Sequence, residues 1–333
     1  MTQYFRPIVS TDTHRPKDAQ ALAGGWAWFT HVEVMSRDGA GELLPATDIP
    51  PAVLTRLTAK RPPIAKLAFD SPSIMGILNV TPDSFSDGGR FNDTDIGERH
   101  AQAMIQAGAD IIDIGGESTR PGAAEVPAAD EAARTVPVIE AIRASSDIPI
   151  SIDTRKASVA RKAIAAGANL INDVSAFSFD PSLTSVANQT DTPVCLMHAQ
   201  GDPETMQNDP YYANVLLDVY DYLQSRVEHA VAHGIARDRI IVDPGIGFGK
   251  TLDHNLRLLK GLSLFHGLGC PILLGVSRKR FIGTIGDAPK ADMRAPGSIA
   301  VALAGVSQGV QIIRVHDVAE TSQALKLHMA LTG

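Results

Sequence analysis

Eight short runs of β-branched and other apolar residues, separated by Ala-rich stretches with helical period, constrain the fold of this chain more than any other feature. The runs are IMGILN (74–79), DIIDIG (110–115), PISID (149–153), NLIND (169–173), PVCLM (193–197), IIVD (240–243), PILLG (271–275) and QIIRV (311–315). Repeated strand–helix units are typical of a parallel sheet. Eight such units predict a closed (β/α)₈ TIM barrel, an α/β fold. A doubly wound open sheet is the runner-up, disfavoured because no GxGxxG turn follows the first run.

Residues 1–70 have a different texture. The run WAWFTHVEV alternates enough for a strand or hairpin, whereas LLPATDIPPAV and KRPPIAK are broken by Pro and are typical of connectors. We therefore predict two parts: an N-terminal extension of residues 1–70 that packs on the barrel, and a barrel of residues 71–333.

Composition excludes several classes of function. The 333 residues are 44% hydrophobic and 20% charged, a globular balance, and the net charge of −7 provides no basic stripe for nucleic acid. No apolar run reaches the ~18 residues of a membrane helix, and the N-terminus lacks the apolar core of a signal peptide. The two cysteines, Cys195 and Cys270, exclude a disulfide framework and a multi-cysteine zinc site. We expect a cytoplasmic protein without a nucleic-acid or membrane partner.

The predicted strands end in polar residues. These are Asn79, Asp153, Asn172 with Asp173, His198, Asp243, the segment Ser277–Lys279, Arg314 and His316. Any one of them could be a helix N-cap or a loop hydrogen-bonding residue. In a TIM barrel, however, the carboxyl ends of all strands meet at one rim, where active sites lie. Their convergence therefore predicts a polar small-ligand site.

The residue types indicate a ligand with two chemically different halves. Asp153, Asn172 and Asp243 suit a flat nitrogen heterocycle, because carboxylates accept paired donors and a carboxamide both donates and accepts. Arg314 and His316, beside Asn79, suit an anion and a metal bound to it.

Two loops after predicted strands add candidate residues. DPGIGFGKT (243–251) resembles a nucleotide P-loop but has Pro244 where that motif needs Gly, so we interpret it as a tight loop in which Phe248 supplies a flat apolar wall or simply packs. GGESTRPGA (115–123) is either an ordinary surface loop or a lid that presents Thr119 and Arg120 to an anionic substrate.

Eight longer segments contain these loops and strand ends. They are LNVTPDSFSDGG (78–89), DIGGESTRPGA (113–123), SIDT (151–154), IND (171–173), LMHAQGDPETMQ (196–207), VDPGIGFGK (242–250), GVSRKRFIG (275–283) and IRVHDV (313–318). Taken together, these segments resemble the dihydropteroate synthases of folate biosynthesis. The resemblance covers residues 74–318. It implies a transferase that condenses 7,8-dihydropterin-6-ylmethyl diphosphate with 4-aminobenzoate to 7,8-dihydropteroate and pyrophosphate. It also implies Mg²⁺, competition by sulfonamides and a homodimer.

The resemblance further implies a role for each candidate residue. The pterin would be held by Asp153, Asn172, Asp243 and Lys279, in a slot lined by Met197 and Phe248. Mg²⁺ and the diphosphate would be bound by Asn79, Arg314 and His316. The aminobenzoate would be bordered by Thr119, Arg120, Ser277 and the stem of Lys279. Catalysis would rest on Lys279, Arg314 and His316, in a dissociative displacement at the rim.

Two alternatives share parts of this pattern. A pterin-dependent methyltransferase barrel has the Asp/Asn/Asp set but does not need STRPG, SRKxF or RVHD, all of which are present here. A catalytically idle paralogue would bind pterin or a partner without turnover. The sequence disfavours this second alternative because no proposed polar residue is missing.

Overall fold

The computed structural model describes residues 2–39, 41–80, 90–118, 122–201 and 205–332. The chain begins with a small antiparallel sheet made of β1 (Tyr4–Ser10), β2 (Gln20–Ala21), β3 (Trp28–Met35) and β4 (Glu42–Pro45), followed by α1 (Pro51–Thr58). Strand β3 pairs with the other three strands. The alternating segment WAWFTHVEV thus supplies the central strand of this sheet.

The barrel strands come next. They are β5 (Ser73–Asn79), β6 (Ile111–Gly115), β7 (Ile150–Asp153), β8 (Leu170–Asp173), β9 (Val194–Met197), β10 (Ile240–Asp243), β11 (Leu273–Leu274) and β12 (Ile312–Val315). They pair in the order β10-β9-β8-β7-β6-β5-β12-β11. A parallel bridge between Val242 and Ile272 joins β10 to the segment that leads into β11. This bridge closes the sheet, so the predicted barrel is confirmed and the open doubly wound alternative is wrong.

Helices follow the barrel strands along the chain. They are α2 (Arg90–Ala107), α3 (Ala128–Ser145), α4 (Ala157–Ala165), α5 (Ser182–Gln189), α6 (Val215–Ala232), α7 (Leu252–Lys260), α8 (Arg280–Ile285), α9 (Ala295–Val306) and α10 (Val318–Thr332). The strands alternate between two environments, as β7 illustrates. Ile150 and Ile152 are buried in the layer between sheet and helices, whereas Asp153 lines a cavity at the barrel rim. Among the described residues, no helix is long and apolar enough to cross a bilayer.

The connector after α1 closes the N-terminal end of the barrel. Its residues Ile64, Leu67 and Phe69 belong to a buried cluster with residues of the barrel strands. The strand residues in that cluster are Met75, Ile111, Leu170, Cys195, Ile241, Leu273 and Ile312. The boundary at residue 70 stays a prediction, but the packing makes the last residues of the extension part of the barrel core.

The extension is also bound to the outside of the barrel by polar contacts. The Trp26 indole N–H donates to the Val306 carbonyl at 3.1 Å, and the Tyr4 hydroxyl donates to Asp221 at 2.8 Å. Arg61 is buried and donates to the His266 carbonyl at 3.1 Å. These bonds attach the extension to helices α6 and α9 and to the segment between α7 and β11.

Candidate active site

A cavity of about 720 Å³ opens at the carboxyl ends of the barrel strands. Ten of the twelve residues proposed from the sequence line it, namely Asn79, Asp153, Asn172, Met197, Asp243, Phe248, Ser277, Lys279, Arg314 and His316. The other two, Thr119 and Arg120, lie outside the described residues. Glu117 and Ser118, which precede them, line the cavity. The loop TPDSFSDGG after Asn79 also lies outside the described residues.

Arg314 lies between two carboxylates on the floor of the cavity. Its Nε donates to Asp113 Oδ2 at 2.6 Å, and its Nη2 donates to Asp153 Oδ2 at 2.8 Å. Burial acts to lower the pKa of Arg314, but the two carboxylates outweigh it and raise the pKa above its ordinary value. Arg314 is therefore held as a cation in a fixed orientation.

Asp153 faces this guanidinium and has an unusual ionisation. Burial raises the pKa of Asp153 to about 7, with Arg314 acting in the opposite direction and Asp113 adding to the rise. The carboxyl group can thus change its charge near neutral pH, at the edge where the sequence predicts a heterocycle.

Two polar residues end strand β8, and they have different roles. Asn172 lines the cavity, and its Nδ2 donates to Asp113 at 3.2 Å. Asp173 is fully buried and accepts from the backbone N–H groups of Ser175 and Phe177 at 2.8 and 2.6 Å. Asp173 therefore stabilises the loop that follows β8.

The loop after β10 has a backbone that only glycine fits comfortably. Gly245 has a φ of +67°, and its N–H donates to Asp243 Oδ1 at 2.7 Å. A Cβ at Gly245 would lie 1.8 Å from the carbonyl oxygen of His198. Burial raises the pKa of Asp243, opposed by this backbone bond and by Lys279. The loop of residues 243–251 is tight, as predicted from the sequence, and its backbone lies close to the end of β9.

Lys279 and Phe248 form one wall of the cavity. The Lys279 ammonium lies 4.1 Å from the centroid of the Phe248 ring, a cation–π distance. A flat ligand on this side of the cavity therefore meets an aromatic face with a positive charge above it.

The segments after β11 and β12 are joined at the rim. Ser277 Oγ accepts the backbone N–H of His316 at 3.1 Å and lies 2.9 Å from His316 Nδ1. Arg278 has a φ of +58° and forms an ion pair with Asp317. The SRK and RVHD motifs are thus one structural unit that orients the His316 ring.

Three polar groups near the cavity were missed at the sequence level. Lys250 is buried, and its Nζ lies 2.9 Å from His198 Nδ1. Burial lowers the pKa of Lys250 well below the ordinary value. Asp113 is fully buried beneath Arg314. Lys156 bonds to Glu117 and Glu131 at 3.0 and 2.8 Å. The signal for Asp113 was present, since it is a carboxylate in the middle of an apolar run.

The described part of the cavity offers few side chains that could bind a metal ion. Among the described residues, no group of three or more His, Cys, Asp or Glu side chains could hold a metal ion. The Asn79 carboxamide stands at the cavity, beside Gly115. Among the described residues, a cation at this point would meet this carboxamide oxygen, and a cation that retains several waters would need few protein ligands.

Comparison with known proteins identifies a family. The family described as "Pterin binding enzyme" matches residues 75–316. Curated relatives named dihydropteroate synthase include the protein of Escherichia coli K12, 47% identical over 78% of this chain and 92% of the relative. The protein of Haemophilus influenzae is 49% identical over 78% of this chain and 94% of the relative.

Solved structures agree with these relatives. Yersinia pestis dihydropteroate synthase in complex with a sulfonamide drug is 49% identical, with a TM-score of 0.75, over 79% of this chain and 94% of that chain. Xanthomonas albilineans dihydropteroate synthase with 4-aminobenzoic acid is 42% identical, with a TM-score of 0.76, over 80% and 95% of the two chains.

Proposed function

The chain belongs to the pterin-binding enzyme family, and we propose that it acts as a dihydropteroate synthase. It condenses 7,8-dihydropterin-6-ylmethyl diphosphate with 4-aminobenzoate, giving 7,8-dihydropteroate and pyrophosphate. The observation that carries this function is the near-half identity to dihydropteroate synthases over almost their whole length, on a barrel whose rim gathers the polar residues into one cavity.

The pterin half of the substrate fits the Asp/Asn/Asp side of the cavity. Asp243 and Asp153 accept donors from the ring edge, and Asn172 bonds beside them. Lys279 and Phe248 cover the ring face, supported by their cation–π contact. Met197, buried at the end of β9, supplies an apolar surface to the same slot.

The diphosphate half fits Arg314, His316 and Asn79. Arg314 carries a charge that the two carboxylates already partly neutralise, so it orients the anion more than it compensates it. We propose that the Asn79 carboxamide would hold Mg²⁺, which when bound would supply further positive charge at the diphosphate. His316 is oriented by Ser277 and donates to the same anion.

The reaction is a displacement at the methylene carbon. The bond from that carbon to the diphosphate oxygen breaks, the electron-rich pterin carries the developing positive charge, and the neutral aryl amine attacks and then loses its proton. Preorganised charge at the leaving group lowers the barrier by an amount on the order of several kcal/mol. We propose the dissociative order of these events. A steep dependence of the rate on amine basicity, in a series of substituted aminobenzoates, would contradict it.

The aminobenzoate is proposed to bind beside Ser277 and the Lys279 stem, with Thr119 and Arg120 completing its site. Support comes from the position of Ser277 and Lys279 on the cavity wall. A sulfonamide, as a mimic of 4-aminobenzoate, should therefore inhibit competitively against 4-aminobenzoate.

The activity test uses the purified protein with the pterin diphosphate, 4-aminobenzoate and Mg²⁺, and measures pyrophosphate. Release that requires aminobenzoate supports the synthase. Pterin binding without release would mean an idle paralogue, and methyl transfer from a methylated reduced pterin to a corrinoid would mean a methyltransferase.

Two substitutions test the division between the halves. Asp243→Ala should abolish binding of 6-hydroxymethylpterin, whereas Arg314→Ala should mainly weaken binding of pyrophosphate and turnover. Asp253→Ala, at an exposed position on α7, is the control and should change neither. Equal loss of pterin affinity in the first two variants would undo the assignment.

The metal role of Asn79 has its own test. Asn79→Ala should raise the Mg²⁺ concentration needed for half-maximal turnover while the urea midpoint of unfolding changes little. An unchanged Mg²⁺ dependence would remove Asn79 from the metal site.

We also propose that the protein is a cytoplasmic homodimer, with support from its resemblance to the family alone. Light scattering coupled to size exclusion measures the mass in solution, and a mass near the 35.3 kDa of one chain would contradict the dimer. Cell fractionation measures the location.

A further inference from the structure

Asp113 is a buried carboxylate that the reaction as derived above does not use. We propose that it is a positioning residue that holds Arg314 and Asn172 in fixed relation, and so couples the diphosphate half of the site to the pterin half. The proposal rests on the proposed function, because those two halves are defined by it.

Asp113 cannot touch a ligand. It lies in the middle of β6, paired in register with Ile77 on β5 and with Ser151 on β7, and its exposed fraction is 0%. It is not among the residues that line the cavity. Any effect of Asp113 on substrate must therefore pass through the side chains that it contacts.

Its contacts reach both halves of the site through one oxygen. Asp113 Oδ2 accepts Arg314 Nε at 2.6 Å and Asn172 Nδ2 at 3.2 Å. Asp113 Oδ1 is buried and has no hydrogen-bond partner among the described residues. Arg314 and Asn172 thus converge on a single carboxylate oxygen, through which Asp113 contacts both halves of the site.

The two contacts restrict different motions. At Arg314, Asp113 holds Nε while Asp153 holds Nη2, which sets the plane of the guanidinium. At Asn172, Asp113 Oδ2 accepts from the amide Nδ2, which leaves the carbonyl oxygen of Asn172 for the ligand. Asp113 therefore determines both the direction of the positive charge and which end of the carboxamide the pterin meets.

Asp153 does not duplicate this role. It lines the cavity and is one of the residues predicted to bind the pterin edge, so a bound ligand competes for its oxygens. Asp113 is fully buried and does not line the cavity, so a bound ligand does not compete directly for its oxygens.

The test separates the two halves with two probes and no turnover. Calorimetry measures the Kd of 6-hydroxymethylpterin, which lacks the diphosphate, and the Kd of pyrophosphate with Mg²⁺, which lacks the pterin. Asp113→Asn, nearly the same in shape, should weaken both by about tenfold or more, because each partner loses a bond to a charged group. Ser151→Ala is the matched control, as Ser151 is the neighbour of Asp113 in register, is fully buried and has an Oγ without a partner among the described residues. It should change neither Kd.

A double-mutant cycle distinguishes positioning from general damage. Adding Asp113→Asn to Arg314→Met should give no further loss of pyrophosphate affinity, since the partner is already gone. It should still weaken pterin affinity, since the Asn172 amide loses its orientation. Where the double variant folds but Asp113→Asn alone does not, the pterin affinity of the double variant, compared with that of Arg314→Met, still tests the contact to Asn172.

Three results would overturn the proposal. They are unchanged affinities in a folded Asp113→Asn protein, a further loss of pyrophosphate affinity in the double variant, and a loss in Ser151→Ala equal to that in Asp113→Asn. If the unaltered protein binds neither probe, the proposed function fails, and this result is distinct from the other three.

Discussion

Gly245→Ala offers the sharpest test of the loop geometry beneath the pterin site. Gly245 has a φ of +67°, in the left-handed region that disfavours a side chain. A Cβ there would lie 1.8 Å from the His198 carbonyl oxygen, where contacts below 3.0 Å are essentially never found. The loop or the end of β9 must therefore move by more than an ångström.

The expected cost has two parts. The positive φ costs an L-residue ~1–2 kcal/mol, and forcing backbone apart in a packed site costs ~1–3 kcal/mol more. The free energy of unfolding should thus fall by about 2–5 kcal/mol. The shift also moves the Gly245 N–H away from Asp243, so pterin affinity should fall with stability.

Gly247→Ala is the matched control in the same loop. Gly247 has a φ of +85°, but its added Cβ would meet only the flexible Lys279 side chain, with the nearest atom at 3.2 Å. Gly247→Ala should lower the free energy of unfolding only by the cost of the positive φ, ~1–2 kcal/mol. Urea unfolding, monitored by circular dichroism, measures the free energy of unfolding of both variants. Equal stability of the two variants would refute the argument, because it would mean that the backbone contact at His198 carries no cost.

Two further predictions concern the barrel core and pH. Leu67→Ala should lower the free energy of unfolding, measured in urea, by about 2–5 kcal/mol, because Leu67 is buried in the cluster that closes the barrel. The control is Leu43→Ala, at a residue that is 59% exposed, which should change this free energy by less than ~0.5 kcal/mol. Similar losses in both variants would contradict the closing role of Leu67. The pKa of Asp153 is raised to about 7, so the ionised acceptor forms as the pH rises through that value. The affinity for 6-hydroxymethylpterin, measured by calorimetry, should therefore increase between pH 6 and 8. If Asp153→Asn shows the same pH dependence of affinity as the unaltered protein, Asp153 is not the group responsible. The pH affects folding stability in the opposite direction. The stabilisation from protonated Asp153 is fully present below the unfolded-state pKa of about 4 and is lost as the pH rises through 7. The urea midpoints of the unaltered protein and of Asp153→Asn would report this loss.

Much of the site could be predicted because a barrel brings the carboxyl ends of all its strands to one rim. Each polar residue at the end of a β-branched run must reach the same rim, so Asp153, Asn172 and Asp243 could be grouped without knowledge of their distances. Asp173 shows the limit of this rule. It ends the same strand as Asn172, but the side chains of adjacent strand residues point to opposite faces, so it stabilises a loop outside the cavity.

The connector KRPPIAK shows a second limit. Its prolines correctly indicate a break in regular structure, but nothing local shows that Ile64 packs against residues inside the barrel. That contact depends on where the extension folds back, and hence on residues far along the chain.

By itself the sequence determined the periods of the elements, and with them the eight-stranded barrel, its reactive rim and the kinds of side chain gathered there. The tertiary structure alone decided which groups face each other across the barrel: Asp113 and Asp153 against Arg314, and Lys250 against His198. The physical reason is that the alternation of side chains along a strand is a local property, whereas the partner of a charge inside a closed barrel is set by the register and closure of strands that lie far apart in sequence.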